Sequence, residues 1–220
     1  MNAQNNVQNP IITQLSRVIS KVFTPYYIPF LAFFVLFKFT YLNLMPLQYK
    51  LSLLSLVFVF TLLVPTLSIY IFGKINNYTM VELNHRQKRF IPLILVSISY
   101  LFCVIMLYRI KTPWYLNSIM QASLLGLIII TLTNFKWRIS EHMFGVGAII
   151  AGIIAFNILF DYYTIWWLCL AIFVGGFVGS ARITLGFHTL GEVLTGLLLG
   201  LICTFFMLNP TINILIMKYF

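Results

Sequence analysis

Arg182, His188 and Glu192 fall within eleven residues at the start of a long apolar stretch that runs to about residue 208. An ionisable side chain well inside a bilayer costs roughly 2.5 to 3.5 kcal/mol on insertion scales, so such residues ordinarily face a partner, a cavity or a substrate. At i and i+4 on a helix, His188 and Glu192 share one face. The carboxylate can then accept a hydrogen bond from one imidazole nitrogen while the other points outward. That is the geometry of a histidine nucleophile held in one tautomer by an acid. Arg182, read as lying in the turn that opens this helix, offers a planar fork for two oxygens of a phosphate. The amides of the helix N-terminus would add affinity for an anion. Ser180 begins the same patch and is a further candidate ligand.

Two other polar patches carry compatible groups. One reads Trp137, Arg138, Ile139, Ser140, Glu141, His142, with Gly145 and Gly147 in the apolar block that follows. His142 is suited to protonating a leaving group, and Ser140 to holding an oxygen. The other reads RQKRFIP and supplies Arg86, Lys88 and Arg89 ahead of Pro92. Each patch alone fits a plainer description: a buried pair that satisfies itself, a solvated loop histidine, a positively charged membrane flank.

The elements that must position these groups follow from composition. Of 220 residues, 61% are hydrophobic and 8% charged, and the apolar residues fall in long blocks. Soluble domains carry about 25% charged residues, so this is the pattern of a multi-pass membrane protein. The net charge of +10 comes from Lys and Arg mostly at the ends of apolar blocks. These read as loop anchors, snorkelling residues or phosphate ligands rather than a nucleic-acid footprint. The first ten residues, MNAQNNVQNP, lack Lys and Arg, so export is assigned to the first span rather than to a cleaved signal.

Apolar blocks at about 26–45, 52–73, 91–109, 116–135, 144–160, 164–179 and 188–208 predict an all-α transmembrane bundle. Helices are required because lipid offers free backbone groups no partner. The shortest blocks are marginal for a core of about 30 Å, so six spans is the alternative to seven. Residues 11–23 are amphipathic, with Ile11, Ile12, Leu15, Val18, Ile19, Val22 and Phe23 against Gln14, Arg17, Ser20 and Lys21. They predict an interfacial helix within a leading segment 1–25, ahead of one membrane domain at 26–220. With seven crossings, the N-terminus and the segments 74–90, 136–143 and 180–187 share one membrane face, which brings the three polar patches together. Tyr162, Tyr163, Trp166 and Trp167 fall on the other face as an interfacial belt. The GxxxG pairs Gly175/Gly179 and Gly196/Gly200 predict close helix packing. Lys38, in the first span, fits snorkelling or a place on an ion path.

Taken together, the patches resemble the three signatures of the type-2 phosphatidic-acid phosphatase family, in order and over about residues 86–196. The family's third motif, Ser-Arg, five residues, His, three residues, Asp, is matched by Arg182 and His188, with Ala181 and Glu192 at the serine and aspartate positions. Its second, Pro-Ser-Gly-His, is similar to Ile139, Ser140, Glu141, His142. Its first, Lys, six residues, Arg-Pro, is the weakest match: Glu82 stands at the lysine position, Arg89 is kept, and the proline comes at Pro92. Arg86 is then the candidate to replace that lysine.

The resemblance implies a metal-independent, cofactor-free phosphatase of membrane lipid phosphates. His188 would attack phosphorus, His142 would protonate the leaving oxygen, and Glu192 would orient His188. Arg182, Arg89, Arg86 and Ser140 would hold phosphoryl oxygens, with Lys88, Glu141 and Ser180 as further candidates. Implied substrates are phosphatidic acid, phosphatidylglycerol phosphate, undecaprenyl diphosphate and lipid A phosphates. The implied setting is a bacterial inner membrane with the site on the extracytoplasmic face. Charge leaves orientation open, with Arg17, Lys21, Lys74 and Lys136 on one side against Lys50, Arg109, Lys111 and Lys218 on the other. Two other readings are a catalytically inactive lipid-binding relative and a transporter lined by Lys38, Arg182, His188 and Glu192. A transporter tends to show matching repeats, and no convincing repeat is visible.

Overall fold

The computed structural model describes residues 10–78, 89–161 and 165–213, and among them the chain is a bundle of helices without strands. In chain order these are α1 (Pro10–Val22), α2 (Tyr27–Phe39), α3 (Leu47–Ile75), α4 (Phe90–Arg109), α5 (Trp114–Thr133), α6 (Glu141–Phe160), α7 (Ile165–Thr184) and α8 (Leu190–Met207). The six helices α3 to α8 are each long and apolar enough to cross a membrane. α5 is the most enclosed, with 56% of its apolar window buried, whereas α3 has 17% and lies at the periphery.

α2 is shorter than the block expected at 26–45. Its 13 residues rise about 20 Å, and Thr40 ends it by going extended while its hydroxyl bonds the Leu36 carbonyl at 2.6 Å. A 3₁₀ turn, Tyr41–Leu44, follows, capped by the Thr40 hydroxyl. The far end is fixed by aromatic contacts: Phe39 lies 5.6 Å from Trp167 and Tyr41 5.3 Å from Phe160, centroid to centroid. Helix and turn together thus carry the chain from the site end of the bundle to the aromatic end, although among the described residues only α3 to α8 meet the length of a span. Lys38 is exposed in the last turn of α2, at the aromatic end.

α3 is continuous through a wide π-type turn at Val59–Leu63. Pro65 explains it: the Val64 amide reaches back to the Val59 carbonyl, and proline has no N–H for the carbonyl of Phe60. Ser99 of α4 supplies the missing donor, its hydroxyl bonding that carbonyl at 2.5 Å. In apolar surroundings an unpaired carbonyl would cost several kcal/mol.

Glycines decide the packing beside the site. A Cβ at Gly196 would sit 2.5 Å from the Ser140 carbonyl oxygen, and one at Gly200 2.0 Å from that of Phe144. α8 therefore lies backbone to backbone on α6, as the GxxxG spacing predicts. Gly175 and Gly179 of α7 likewise meet Val146 and Val193.

α1 falls close to the amphipathic segment expected at 11–23, and it packs chiefly against α7. Ile19 and Phe23 turn inward onto Met143, Val146, Val178 and Val193. Ile11, Ile12, Leu15 and Val18 remain exposed on its outer side.

Candidate active site

The close approach of α6 and α8 brings two of the polar patches together. Ser140 precedes α6 as its N-cap, and its amide donates to the Glu192 carbonyl at 3.1 Å. His188 precedes Thr189, the N-cap of α8, so it stands just outside the helix rather than on its face. The contact with Glu192 forms all the same, through a capping box. Thr189 Oγ1 accepts from the Glu192 amide at 3.4 Å, and Glu192 Oε2 accepts from the Thr189 amide at 3.0 Å. That holds Oε2 3.2 Å from His188 Nδ1.

His188 Nδ1 lies 3.2 Å from a second acceptor, the backbone carbonyl of Arg138. Two acceptors place the proton on Nδ1 and leave Nε2 with its lone pair. The imidazole is buried, its side chain 1% exposed. Burial first, then the guanidiniums of Arg182, Arg138 and Arg89, lower its pKa to about 3, so it is neutral at physiological pH.

Those guanidiniums come from three places. Arg89 stands just before α4, Arg138 lies between α5 and α6, and Arg182 is in the last turn of α7. α7 runs five residues past the expected 179, so Arg182 belongs to its end rather than to the turn opening α8. Arg89 is paired with Glu141, both buried, so Glu141 points into the bundle. Burial, with Arg89 nearby, pulls the Arg138 guanidinium below its usual range. Among the described residues the buried Arg89 Nη1, Arg138 Nε, Arg182 Nε and Ser140 Oγ have no hydrogen-bond partner. Ser140 is instructive: an N-cap serine ordinarily spends its hydroxyl on the first helical amides, and here it makes no such bond. The uncapped anion-attracting end is therefore that of α6, since α8 is capped by its own side chains.

His142, in the first turn of α6, places Nε2 3.2 Å from the carbonyl oxygen of Ser20 in α1. Arg182 donates from Nη1 to the Ser20 hydroxyl at 2.7 Å and stacks 4.6 Å from the centroid of Phe187.

Of the residues singled out by the sequence, His188, Glu192, His142, Arg182, Arg89, Ser140 and Glu141 thus gather at one end of the bundle. Ser180 does not join them: it is exposed on α7. Arg86 and Lys88 lie outside the described residues. Two groups enter that the motif spacing does not assign, Arg138 and Ser20. Arg138 carried a signal, being the basic residue of the Ser140/His142 patch, and Ser20 lay on the polar side of the amphipathic segment. Among the described residues no three His, Cys, Asp or Glu side chains cluster as metal ligands would.

No family model, curated protein or solved structure matches the chain.

Proposed function

We propose that this membrane bundle is a phosphohydrolase that uses a histidine nucleophile. Within that class we read it as a lipid phosphate phosphatase, acting on a phosphomonoester or diphosphate whose apolar part stays in the bilayer. The observation that carries the reading is His188: a buried, neutral imidazole, held at Nδ1 by Glu192 and the Arg138 carbonyl, with Nε2 free and three arginines near it.

Three cations against two carboxylates, with guanidinium nitrogens and a hydroxyl unpartnered in the interior, make an environment short of negative charge. A phosphate supplies it. The Nε2 lone pair of His188 attacks phosphorus, and the bond from phosphorus to the leaving oxygen breaks. His142, protonated on both ring nitrogens once the phosphate dianion is bound, gives that oxygen its Nε2 proton and is left neutral. Water then attacks the phosphohistidine, His142 takes a proton from it, and the P–N bond breaks with its electron pair returning to Nε2. Arg89, Arg138, Arg182 and Ser140 hold the phosphoryl oxygens as charge builds on them. Glu141, paired to Arg89, fixes the direction of that guanidinium. The three motif resemblances support the same assignment of roles, and by the same resemblance the site faces the extracytoplasmic side of a bacterial inner membrane.

Phosphate release by the full-length protein in detergent, from phosphatidic acid and from undecaprenyl diphosphate, tests the reading. Release from either that is lost in His188→Ala supports it and begins to rank substrates. No release from these two or from lipid A phosphates overturns it in favour of a binding or transport role.

A further inference from the structure

Ser20 meets two of the groups that the proposed reaction requires, on two different helices, and does so with two of its oxygens. Its carbonyl oxygen lies 3.2 Å from His142 Nε2, and its hydroxyl accepts from Arg182 Nη1 at 2.7 Å. A carbonyl oxygen only accepts, so His142 carries its proton on Nε2 and aims it at that oxygen. We infer that Ser20 stands in for the substrate, its carbonyl in the place of the leaving oxygen and its hydroxyl in the place of a phosphoryl oxygen, so that α1 is a lid which the lipid phosphate must displace. This rests on the phosphatase reading for the identity of the displacing ligand.

The surroundings fit a contact that gives way rather than a structural tie. Arg182 keeps a buried Nε without a partner, so Ser20 satisfies part of the guanidinium and none of its charge. A phosphate dianion offers several charged acceptors where Ser20 offers one neutral hydroxyl, and charge-assisted hydrogen bonds are roughly twice as strong as neutral ones. α1 lies at the surface and packs mainly on α7, joined to α2 by a short connection, residues 23–26. Its outer side is already apolar, with Ile11 66%, Ile12 51%, Leu15 58% and Val18 54% exposed. Phe23, at its end, lines the cleft that holds His142, Ile28, Val146, Ile149, Ala171 and Val174. One movement of α1 would therefore free the head-group site and the apolar cleft beneath it.

A closed lid lowers apparent affinity by the fraction of molecules that are open. Loosening the lid should tighten binding, and fastening it should weaken binding. Removing the hydroxyl with Ser20→Ala should lower KM for the lipid phosphate and the inhibition constant of orthovanadate about three- to tenfold. Ser20→Asp, which places a carboxylate against Arg182, should raise both by about tenfold or more. If both substitutions weaken binding, or neither changes it, Ser20 is a packing contact and the lid is overturned.

A second measurement separates the lid from the hydrolytic reading. In a Cys169→Ala background, which removes the exposed thiol, Ser20→Cys is labelled with a thiol reagent with and without inorganic phosphate. Faster labelling with phosphate is the expected result. Faster labelling in a protein that releases no phosphate from lipids would uphold the lid and overturn hydrolysis. Unchanged labelling in a protein that does release phosphate would overturn the lid alone.

Discussion

Glu192 reaches Ser140 with its backbone and His188 with its side chain: its carbonyl accepts the Ser140 amide at 3.1 Å, and its carboxylate lies 3.2 Å from His188 Nδ1. One residue thus holds the starts of α6 and α8 together and orients the nucleophile. Glu192→Gln separates these duties, because glutamine fills the same place in a capping box. The backbone bond and the cap persist while the charge that fixes the imidazole is lost. We expect kcat to fall about 10²-fold or more with KM nearly unchanged, and an unchanged kcat would remove Glu192 from the reaction.

His188→Ala should abolish turnover, and His142→Ala should lower it by about 10² to 10⁴, the usual worth of a positioned proton donor. Lys38→Ala, at the far end of the bundle, should behave as the parent protein. Equal rates in all three variants would dissolve the assigned site.

Arg138 binds His188 through its backbone, so replacing its side chain leaves that hydrogen bond intact. Arg138→Ala then reports on the guanidinium. Loss of a charge-assisted bond worth roughly 1.5 to 3 kcal/mol should weaken orthovanadate inhibition about ten- to 100-fold. Arg138→Lys should recover part of it, since a point charge replaces a fork. Inhibition constants for the three proteins decide the matter.

The depressed pKa of His188 has two readable effects. The nucleophile stays neutral as pH falls from 7 to 5, so kcat/KM should show no loss with a midpoint near the ordinary histidine value of about 6.5. Stability moves the other way. Below about pH 6.5 the unfolded chain binds a proton that the folded imidazole refuses until about pH 3, so the folded state loses up to roughly 1.4 kcal/mol per pH unit across that window. Thermal unfolding in detergent at pH 7 and pH 5 should give a lower Tm at pH 5, and His188→Gln should narrow the gap.

Gly200→Val drives a side chain into the Phe144 carbonyl, where even a Cβ would come within 2.0 Å. α8 must then move off α6, carrying His188 away from His142. The expected result is about 2 kcal/mol or more of lost stability, as for overpacked interiors, with activity lost alongside. A variant with parental Tm and rate would refute the close packing.

The spans were legible because lipid forces apolar stretches to be helical, and α4, Phe90–Arg109, begins and ends within a residue of its block. Ends were harder to read where polar residues continue a helix. α6 starts at Glu141 and α7 runs through Arg182 to Thr184, because buried partners offset the cost of those charges. The apolar block at 26–45 overruns α2 in the other direction, since Tyr41, Leu42, Leu44 and Met45 continue the apolar pattern past the break at Thr40. Within the site, the separation of His188 from Glu192 carried the pair across an incorrect helix start, because a capping box and a helix face both bring i and i+4 together. Ser20 and Arg138 escaped assignment for another reason: their contacts, across 162 and 50 residues of sequence, depend on tertiary packing that no local spacing encodes.

The wide turn in α3 carries one more consequence. An extra residue in a turn rotates everything beyond it by about 100° relative to a regular helix. The half before the turn, Leu47–Phe58, packs against α2, and the half after it, Val64–Ile75, against α4. A single span thus changes partners midway through the bilayer. Pro65 sets the phase of that exchange and Ser99 secures it, so two residues with no part in the site govern how the periphery of the bundle is stitched to its centre.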